Sequence, residues 1–499
     1  AHTLPRGSTC NLKSSSFHTG FAVRGTAPAT NEPADVHLSL ASADGAGARA
    51  IISQPSDLPA GSSARLFRIS HGATLTLADL ILENGVASNG EGGCVTVSTY
   101  DPYDRYSTLI VTRSTIRNGR AASSGGLISA NQFSHIVLED SLLEGGRAVE
   151  GGAISASEGT VIEVRGGTTI VRQNHATTGG APLGATFLPK GGAFSIKQNE
   201  LIHGESASPE RLVPNITVTG HLLVIENTAT GEGAGIYLRA LMWKTQTEVQ
   251  PMAISVHSGG HIEVRNNSVS GLHFPMGGGG GMAISKIRMH ISGAESRLTI
   301  AENQNLAPSA SLTKGGGGIF MLDTELIVDS GASLHVEDNT DWVQQNTATA
   351  SLGGGGICAQ GATRIHITGV GTTAWLLRNK CIFGQGGGFS FHDSHEGVLS
   401  FIVDEGAQLE VSNNIAGGSG GGISLGPGEG FFFVGGDQTR LNATNNTATH
   451  GDGGAIFVHS KHRLNIIAPN IFRGNEAPNG IGGGVSSSKG GLDSSDGSD

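Results

Sequence analysis

Short apolar stretches recur along the chain with one spacing of hydrophobic and polar residues. Two apolar residues stand at positions i and i+2, and an asparagine follows three positions after the second, as in Leu222, Val224 and Asn227. This spacing is typical of a β-strand that buries one face. We expect the asparagines to mark a corner, to adopt the left-handed conformation there, and to bond to one another as a ladder. They are Asn227, Asn267, Asn303, Asn339, Asn414, Asn446 and Asn475.

A second signature is a glycine cluster that runs into an apolar residue. It occurs twelve times, from GGCV at 92–95 to GGGV at 482–485. The clusters are spaced by about 26 to 46 residues, a period typical of solenoids and propellers. A third apolar stretch, such as RIHITG at 364–369, lies between the two signatures. Each repeat therefore predicts three short strands, with glycine supplying positive φ and close backbone approach at a tight corner.

Three strands per repeat, stacked in register, predict an all-β fold, a right-handed parallel β-helix of about twelve rungs over residues 81–485. The β-propeller is the competing array, but its blades carry aromatic signatures that are scarce here. Residues 1–80 predict an N-terminal cap and first strands, and residues 486–499 predict a flexible polar tail. Longer interruptions at 98–107, 198–213 and 239–251 predict loops.

Composition and charge narrow the class of protein further. Glycine makes up 79 of the 499 residues, and aromatic residues only 5%. The net charge is −11 and no basic stripe is visible, which argues against nucleic acid as a partner. No apolar run approaches the ~18 residues of a membrane-spanning helix. The first residues, AHTLPRGSTC, lack signal-peptide features, so a cleaved mature product and a trimmed sequence are the two alternatives.

The four cysteines are candidates for disulfide bonds. Cys10, Cys94, Cys358 and Cys381 allow three pairings, and none lies in a CxxC motif that would predict a zinc site. Cys358 and Cys381 are close enough in sequence for neighbouring rungs to bring them together. Buried free thiols are the equally compatible alternative.

Motifs for catalysis and metal binding are weak. Pectin-cleaving enzymes with this fold use NTD, DD, GHG and RIK, whereas this chain has one NTD at 339–341, on a corner asparagine, and RIH at 364–366. The stretch FHDSHEG at 391–397 offers candidate metal ligands, with a solvated loop as the alternative. Its candidates are His392, Asp393, His395 and Glu396. Calcium-repeat, GxSxG and phosphate-loop motifs are absent, so we expect a non-catalytic protein without a cofactor.

Four N-x-[S/T] sequons are candidate N-glycosylation sites. They begin at Asn215, Asn266, Asn442 and Asn445. In two of them the corner asparagine is the next residue, so the sequon asparagine itself need not be buried. Asn442 lies between Leu441 and Ala443, and strand alternation predicts that it faces outward. Accidental sequons in a chain rich in Asn and Thr are the alternative.

The paired signatures resemble the GGA[I/L/V] and FxxN repeats of chlamydial polymorphic outer membrane proteins. GGAI occurs at 151–154 and 453–456, and FRGN at 472–475 matches the second motif in full. Elsewhere Val, Ile, Leu or Ala replaces the phenylalanine. The repeats also look like those of other secreted β-helix proteins from bacteria, algae and protists. The resemblance implies an extracellular and often adhesive role.

Three functions follow as hypotheses. The leading one is a secreted, non-catalytic surface protein, an adhesin or adhesive coat component that binds a cell-surface or glycan ligand. The second is a structural subunit that binds copies of itself in an extracellular filament or flagellar hair. The third is a polysaccharide-active enzyme, which would require an acid cluster along one groove.

Overall fold

The computed structural model divides the chain into two compact units. Unit 1 comprises Ala1–Thr230 and Ala234–Ser255, and unit 2 comprises Gly231–Gly233 and Val256–Asp499. Every regular element in the described stretches is a β-strand, which confirms the all-β prediction. The described stretches are residues 9–12, 21–24, 37–42, 49–53, 64–88, 90–99, 106–178, 189–198, 214–240, 252–270, 278–306, 315–342, 353–392, 397–459 and 461–488.

Unit 1 contains four parallel sheets, which we call A to D. Sheet A consists of Thr9–Leu12, His37–Ser42, Thr74–Ala78, Ser107–Thr112, Ser134–Glu139, Val161–Arg165, Asn215–Val218 and Met252–Val256, whose last residue belongs to unit 2. Sheet B consists of Ala50–Ser53, Leu80–Glu83, Thr115–Arg117, Leu142–Glu144, Thr168–Arg172 and His221–Ile225. Sheet C consists of Phe21–Arg24, Phe67–Ser70, Val95–Ser98, Ile128–Asn131, Ile154–Ser157, Phe194–Lys197 and Ile236–Arg239. Sheet D consists of Val86–Ala87, Arg120–Ala121, Arg147–Ala148, His175–Ala176 and Thr228–Ala229.

Unit 2 repeats this arrangement, and its sheets take the same letters. Sheet A consists of Ile287–Ser292, Glu325–Asp329, Arg364–Thr368, Val398–Asp404, Glu429–Val434 and His462–Ile466. Sheet B consists of His261–Arg265, Arg297–Ala301, Ser333–Glu337, Thr373–Leu377, Gln408–Ser412, Arg440–Thr444 and Asn470–Arg473. Sheet C consists of Met282–Ser285, Ile319–Leu322, Ile357–Gln360, Phe389–Phe391, Ile423–Leu425, Ile456–Val458 and Val485–Ser487. Sheet D consists of Ser268–Val269, Gln304–Asn305, Thr340–Asp341, Lys380–Cys381, Ile415–Ala416 and Thr447–Ala448, and a short glycine sheet consists of Gly278–Gly279, Gly315–Gly316 and Gly353–Gly354.

Successive strands of each sheet pair in parallel, with like residues in register. In unit 1 Leu109 pairs with Leu75 of the preceding rung and with Ile136 of the following rung. In unit 2 Leu298 pairs with Leu334 in the same way. Side chains alternate between the two faces of a strand, so these stacked residues are buried and form the core. Each unit is therefore a parallel β-helix, as predicted, while the right hand of the coil stays a prediction.

The glycine clusters stand at one corner of the repeat, and each of the twelve leads into a strand of sheet C. Gly151 has a φ of +61°, where a side chain would be strained. Gly152 follows with an ordinary φ, but a Cβ there would overlap the carbonyl oxygen of Gly192 on the next rung. Both predicted roles of glycine are thus confirmed. Two further strands of sheet C, at residues 21–24 and 67–70, precede the first cluster.

Parallel pairing extends beyond the predicted boundaries at residues 81 and 485. His37–Ser42 pairs with Thr74–Ala78, so the predicted first strands do lie before residue 81. At the other end Val485–Ser487 pairs with Ile456–Val458, and the strand therefore includes the first two residues of the predicted tail. The cap and the rest of the tail stay predictions. Most residues of the three predicted loops lie outside the described stretches, but Ser98, Ser107 and Arg239 at their edges belong to strands.

The corner asparagines form a buried hydrogen-bond ladder, as predicted. The backbone N–H and Nδ2 of Asn303 both donate to Oδ1 of Asn339, each at 3.0 Å. Nδ2 of Asn303 also donates to the carbonyl oxygen of Val264 on the preceding rung, at 2.8 Å. Every polar group of the buried amide is paired, which removes the cost of burying it. The same pattern joins Asn267, Asn303, Asn339, Asn379, Asn414, Asn446 and Asn475 in unit 2, and Asn174 and Asn227 in unit 1.

Two members of the ladder are missing from the prediction. Asn379 follows Ala374 and Leu376 with the expected spacing, so its signal was present in the sequence. Asn174 follows Thr169 and Val171, and the threonine interrupts the apolar pattern. Thr169 is nevertheless fully buried and pairs with Leu222 of the next rung. Its strand therefore has the same register as the other strands of sheet B.

The prediction that the ladder asparagines adopt the left-handed conformation is wrong. The residue immediately before each of them has a φ between +52° and +64°, and the ladder asparagines themselves do not have positive φ. The preceding residue faces outward, and at Asn266, Asp338 and Asn445 it is a short polar side chain that tolerates this conformation. The chain therefore bends one residue earlier, and the ladder amide can point inward.

Candidate functional site

The outer face of sheet B in unit 1, and the turn between sheets A and B, carry ion pairs between successive rungs. Arg113 contacts Asp79 at 2.7 Å, Arg117 contacts Glu83 at 2.6 Å, and other rungs repeat the pattern. The Arg113 guanidinium beside Asp79 lowers the pKa of that carboxyl through its hydrogen bonds. Exposed pairs of this kind contribute little to stability, but they leave both charges with partners inside the chain. These faces are poor candidates for binding a charged ligand.

The outer face of sheet C in unit 1 carries a row of small hydroxyl residues, one of which, Ser129, donates to Glu91 Oε2 at 3.1 Å. Thr96, Ser129, Ser155 and Ser195 lie in register on successive rungs and are all buried. Among the described residues, the hydroxyl of Ser195 has no hydrogen-bond partner, and the same holds for Ser98 on this face. Unpaired buried polar groups are rare and costly, so this face is a candidate for binding.

A pocket of about 450 Å³ lies on the outer face of sheet A in unit 2. Its aromatic wall is Phe433, which faces outward because it alternates with the buried residues Phe432 and Val434. Phe433 packs beside Phe431, with ring centroids 6.0 Å apart. The lining residues are Val370, Asp404, Glu405, Phe433, Gly435, Gly436, Asp437 and Gln438.

Carboxylates and an amide surround the apolar wall of this pocket. Asp404 Oδ1 lies 3.0 Å from Nε2 of His366, and Glu405 accepts a hydrogen bond from Thr368 Oγ1 at 3.2 Å. Asp437 and Gln438 are exposed in the turn that follows the strand. An apolar wall with a few polar groups is the usual composition of a small-molecule site, and this volume lies in the usual range. Carboxylate and amide oxygens accept hydrogen bonds from hydroxyl or ammonium groups.

The sequon asparagines all lie on outer positions of the described rungs. Asn266 and Asn445 are exposed and occupy the positive-φ position before a ladder asparagine. Asn215 and Asn442 are half-buried strand residues. Leu441 and Ala443 are buried on either side of Asn442, which confirms that it faces outward. Attachment of a glycan at any of the four stays a prediction.

The three cysteines whose side chains are described are buried and form no disulfide bond in the described part of the chain. They are Cys94, Cys358 and Cys381, and the side chain of Cys10 lies outside the described residues. The predicted alternative of buried thiols is therefore the one observed. Burial raises the pKa of the Cys94 thiol to about 12. It also raises the pKa of Cys381, whose Sγ lies 3.8 Å from Oδ2 of Asp341, a buried carboxylate.

The NTD and FHDSHEG motifs do not form an outer site in the described part of the chain, whereas Arg364 and His366 of RIH face outward on sheet A. In the NTD stretch Asn339 belongs to the ladder, and Oδ1 of buried Asp341 accepts a hydrogen bond from Asn305 at 3.1 Å. In FHDSHEG only His392 of the four candidate ligands is described, and its backbone N–H donates to Ala359. Asp393, His395 and Glu396 lie outside the described residues.

The residues of the pocket at Phe433 were not predicted. A signal was present, since EGFFFV at 429–434 is the densest aromatic run in a chain with few aromatics. Strand alternation turns two of its three phenylalanines outward. The polar lining residues carry no such signal, because they come from turns on different rungs.

Comparison with family models, with curated proteins and with solved structures found no match to this chain. The resemblance to the polymorphic outer membrane protein repeats therefore stays a prediction. The fold itself defines the class, a parallel β-helix repeat protein. In the described part of the chain, no helix has the length and hydrophobicity needed to span a membrane.

Proposed function

We propose that this chain is a secreted, non-catalytic β-helical surface protein that adheres to a glycan ligand. The observation that supports the proposal is the pocket at Phe433, an aromatic wall next to Asp404, Glu405, Asp437 and Gln438. The apolar face of a sugar ring would pack on Phe433, and its hydroxyl groups would donate to the carboxylates. Three carboxylates repel anions, so the expected ligand is a neutral or amino-substituted sugar.

The proposal is tested by binding of the full chain to an array of neutral, amino-substituted and acidic oligosaccharides. Phe433→Ala should weaken binding of the best neutral or amino-substituted ligand about tenfold or more, since truncating a central aromatic anchor has effects of this size. Trp342→Ala is the control, because Trp342 is an aromatic residue with 48% exposure outside the pocket. Absence of any binding, or equal loss in both variants, would contradict the proposal.

Amino-substituted and neutral ligands are distinguished by a second variant. Asp437→Asn keeps the hydrogen-bonding oxygen but removes a charge from an exposed position of the rim. It should weaken an amino sugar more than the matching neutral sugar, because only the amino sugar interacts with the charge. Equal effects on both sugars would identify a neutral ligand.

A subunit of an extracellular filament is the second candidate function. Large apolar side chains are exposed in the last described rung, with Ile471 at 53% and Ile481 at 74%. Strands Asn470–Arg473 and Val485–Ser487 each pair on only one edge within the described residues. Exposed apolar side chains favour association between copies.

Electron microscopy of the purified full chain over a range of concentrations separates the two functions. Ordered fibres that disappear in Ile471→Lys and Ile481→Lys variants would favour the filament subunit. Monodisperse particles that bind an oligosaccharide would favour the adhesin. Fibres that persist in both lysine variants would show that these two residues do not form the contact.

A further inference from the structure

A second aromatic ring lies beside the pocket at Phe433 but outside its lining. Phe431 is half-buried on the same outward face of the strand Glu429–Val434, because it alternates with the buried residue Phe432. The ring centroids of Phe431 and Phe433 are 6.0 Å apart, and the two ring planes are tilted by only 23°. The apolar surface of the pocket thus continues along the strand. We call Phe431 and Phe433 the aromatic pair.

The aromatic pair is held in place by its neighbours. A Cβ at Gly435 would lie 2.5 Å from Cζ of Phe433 and 2.6 Å from Cγ1 of Ile467, so these two side chains fill the space that the glycine leaves. Between the two outward rings, Phe432 packs in the core against Phe401, with ring centroids 4.9 Å apart. Side chains that are ordered before a ligand arrives reduce the entropy lost on binding. The aromatic pair is therefore a prearranged surface.

Polar side chains flank Phe431 on both neighbouring rungs. Phe431 pairs in register with Ser400 on the preceding rung and with Arg463 on the following rung. Side chains that pair in register share a face and lie close enough to contact one ligand. The other charged residues beside Phe431 are Glu429 and Lys461, whose side chains lie 3.9 Å apart as an ion pair. Arg463 is exposed and makes no ion pair within the described stretches, so its donors are available to a ligand.

We propose that the pocket and the aromatic pair together bind a linear oligosaccharide of at least two sugars, an inference that rests on the proposed function. The first sugar packs on Phe433 in the pocket, and the second packs on Phe431. The 6.0 Å between the two ring centroids is close to the distance between neighbouring sugar rings in a glycan chain. Hydroxyl groups of the second sugar bond to the hydroxyl of Ser400 and accept hydrogen bonds from Arg463.

The test measures binding of the full chain to two pairs of probes by calorimetry. One pair is glucose and cellobiose, and the other is glucosamine and the chitosan disaccharide. At least one disaccharide should bind about tenfold or more tightly than its own monosaccharide, because only the disaccharide reaches Phe431. Equal affinities of monosaccharide and disaccharide in both pairs would overturn the proposal.

Variants at the second position separate its contribution from that of the pocket. Phe431→Ala should weaken the disaccharide about tenfold and the monosaccharide less than about twofold, whereas Phe433→Ala should weaken both. Phe431→Tyr keeps an aromatic ring and should retain most of the affinity. Arg463→Ala removes donors from an exposed side chain and should weaken only the disaccharide. Its thermal unfolding midpoint should equal that of the unmodified chain, so its loss of affinity reports on binding and not on folding.

Failure of the second position is distinguishable from failure of the proposed function. A similar loss for both lengths in Phe431→Ala, or no effect of that variant on the disaccharide, would overturn the second position while the pocket at Phe433 stands. Absence of binding by both disaccharides would also overturn it. The proposed function itself fails when the whole array of oligosaccharides shows no binding.

Discussion

Removing one amide from the asparagine ladder should destabilise unit 2 far more than removing an exposed one. Oδ1 of Asn339 accepts two hydrogen bonds from Asn303, and its Nδ2 donates to the carbonyl oxygen of Ile300 at 2.8 Å and to Oδ1 of Asn379 at 2.9 Å. In Asn339→Ala the backbone N–H of Asn303 and the carbonyl oxygen of Ile300 lose these partners within a fully buried corner. Each unpaired buried group costs about 1–3 kcal/mol, so the expected loss is about 4 kcal/mol.

The most direct assay is hydrogen exchange at the backbone amide of Asn303. Its exchange should become faster by about a thousandfold, since each 1.4 kcal/mol is about a factor of ten. Guanidinium unfolding followed by circular dichroism should show a lower midpoint for the same variant. Asn442→Ala is the matched control, because Asn442 faces outward between buried neighbours, and it should cost less than about 1 kcal/mol. A loss below about 1 kcal/mol in Asn339→Ala, or unchanged exchange at Asn303, would refute the reasoning.

Three further outcomes follow from the described residues. Gly152→Ala should destabilise the fold by more than about 3 kcal/mol in thermal unfolding, because its Cβ would overlap the backbone. Gly484→Ala is the control and should change the free energy of unfolding by less than about 0.5 kcal/mol, since open space surrounds Gly484. Similar unfolding midpoints for the two variants would contradict this. Cys94 should not react with a thiol reagent at pH 8 until the protein unfolds, since it is buried and its pKa is about 12; rapid labelling of the native protein would count against this burial. Burial lowers the pKa of His335 to about 4, whereas histidine in the unfolded chain titrates at about pH 6.5. As the pH falls, the unfolded state therefore binds the proton first, and the free energy of unfolding should decrease from about pH 6.5 to about pH 4. His335→Gln should reduce that decrease in urea unfolding, and an unchanged pH dependence would show that His335 does not cause it.

The repeat signatures were sufficient to predict the fold, because most rungs meet the same local requirement. A glycine cluster precedes the sheet C strands from Val95–Ser98 onward, and an asparagine follows the sheet B strands from Thr168–Arg172 onward. The weak point was the local conformation at the asparagine corner. Asn266 and Asn267 are adjacent and identical in type, and sequence reasoning assigned the positive φ to the wrong one of the two. Which one points inward depends on the stacked partner, Asn303, and not on the residue itself.

The residues of the candidate sites were much harder to predict from the sequence than the fold. Ser155 and Ser195 are far apart in the chain but pair in register on sheet C, and the length of the intervening rung follows no fixed period, so no motif spacing marks their pairing. The pocket beside Phe433 likewise draws Val370, Glu405 and Asp437 from turns on three different rungs.

The periodicity of the chain was thus enough to predict the architecture, because the alternation of apolar and polar residues and the choice of turn residues act over a few positions. Both are visible in any single repeat. The composition of a candidate site depends instead on how the repeats stack, because the register between rungs decides which outer side chains become neighbours. That register depends on parallel pairing between strands that are about 26 to 54 residues apart, and it becomes visible only when the rungs are assembled.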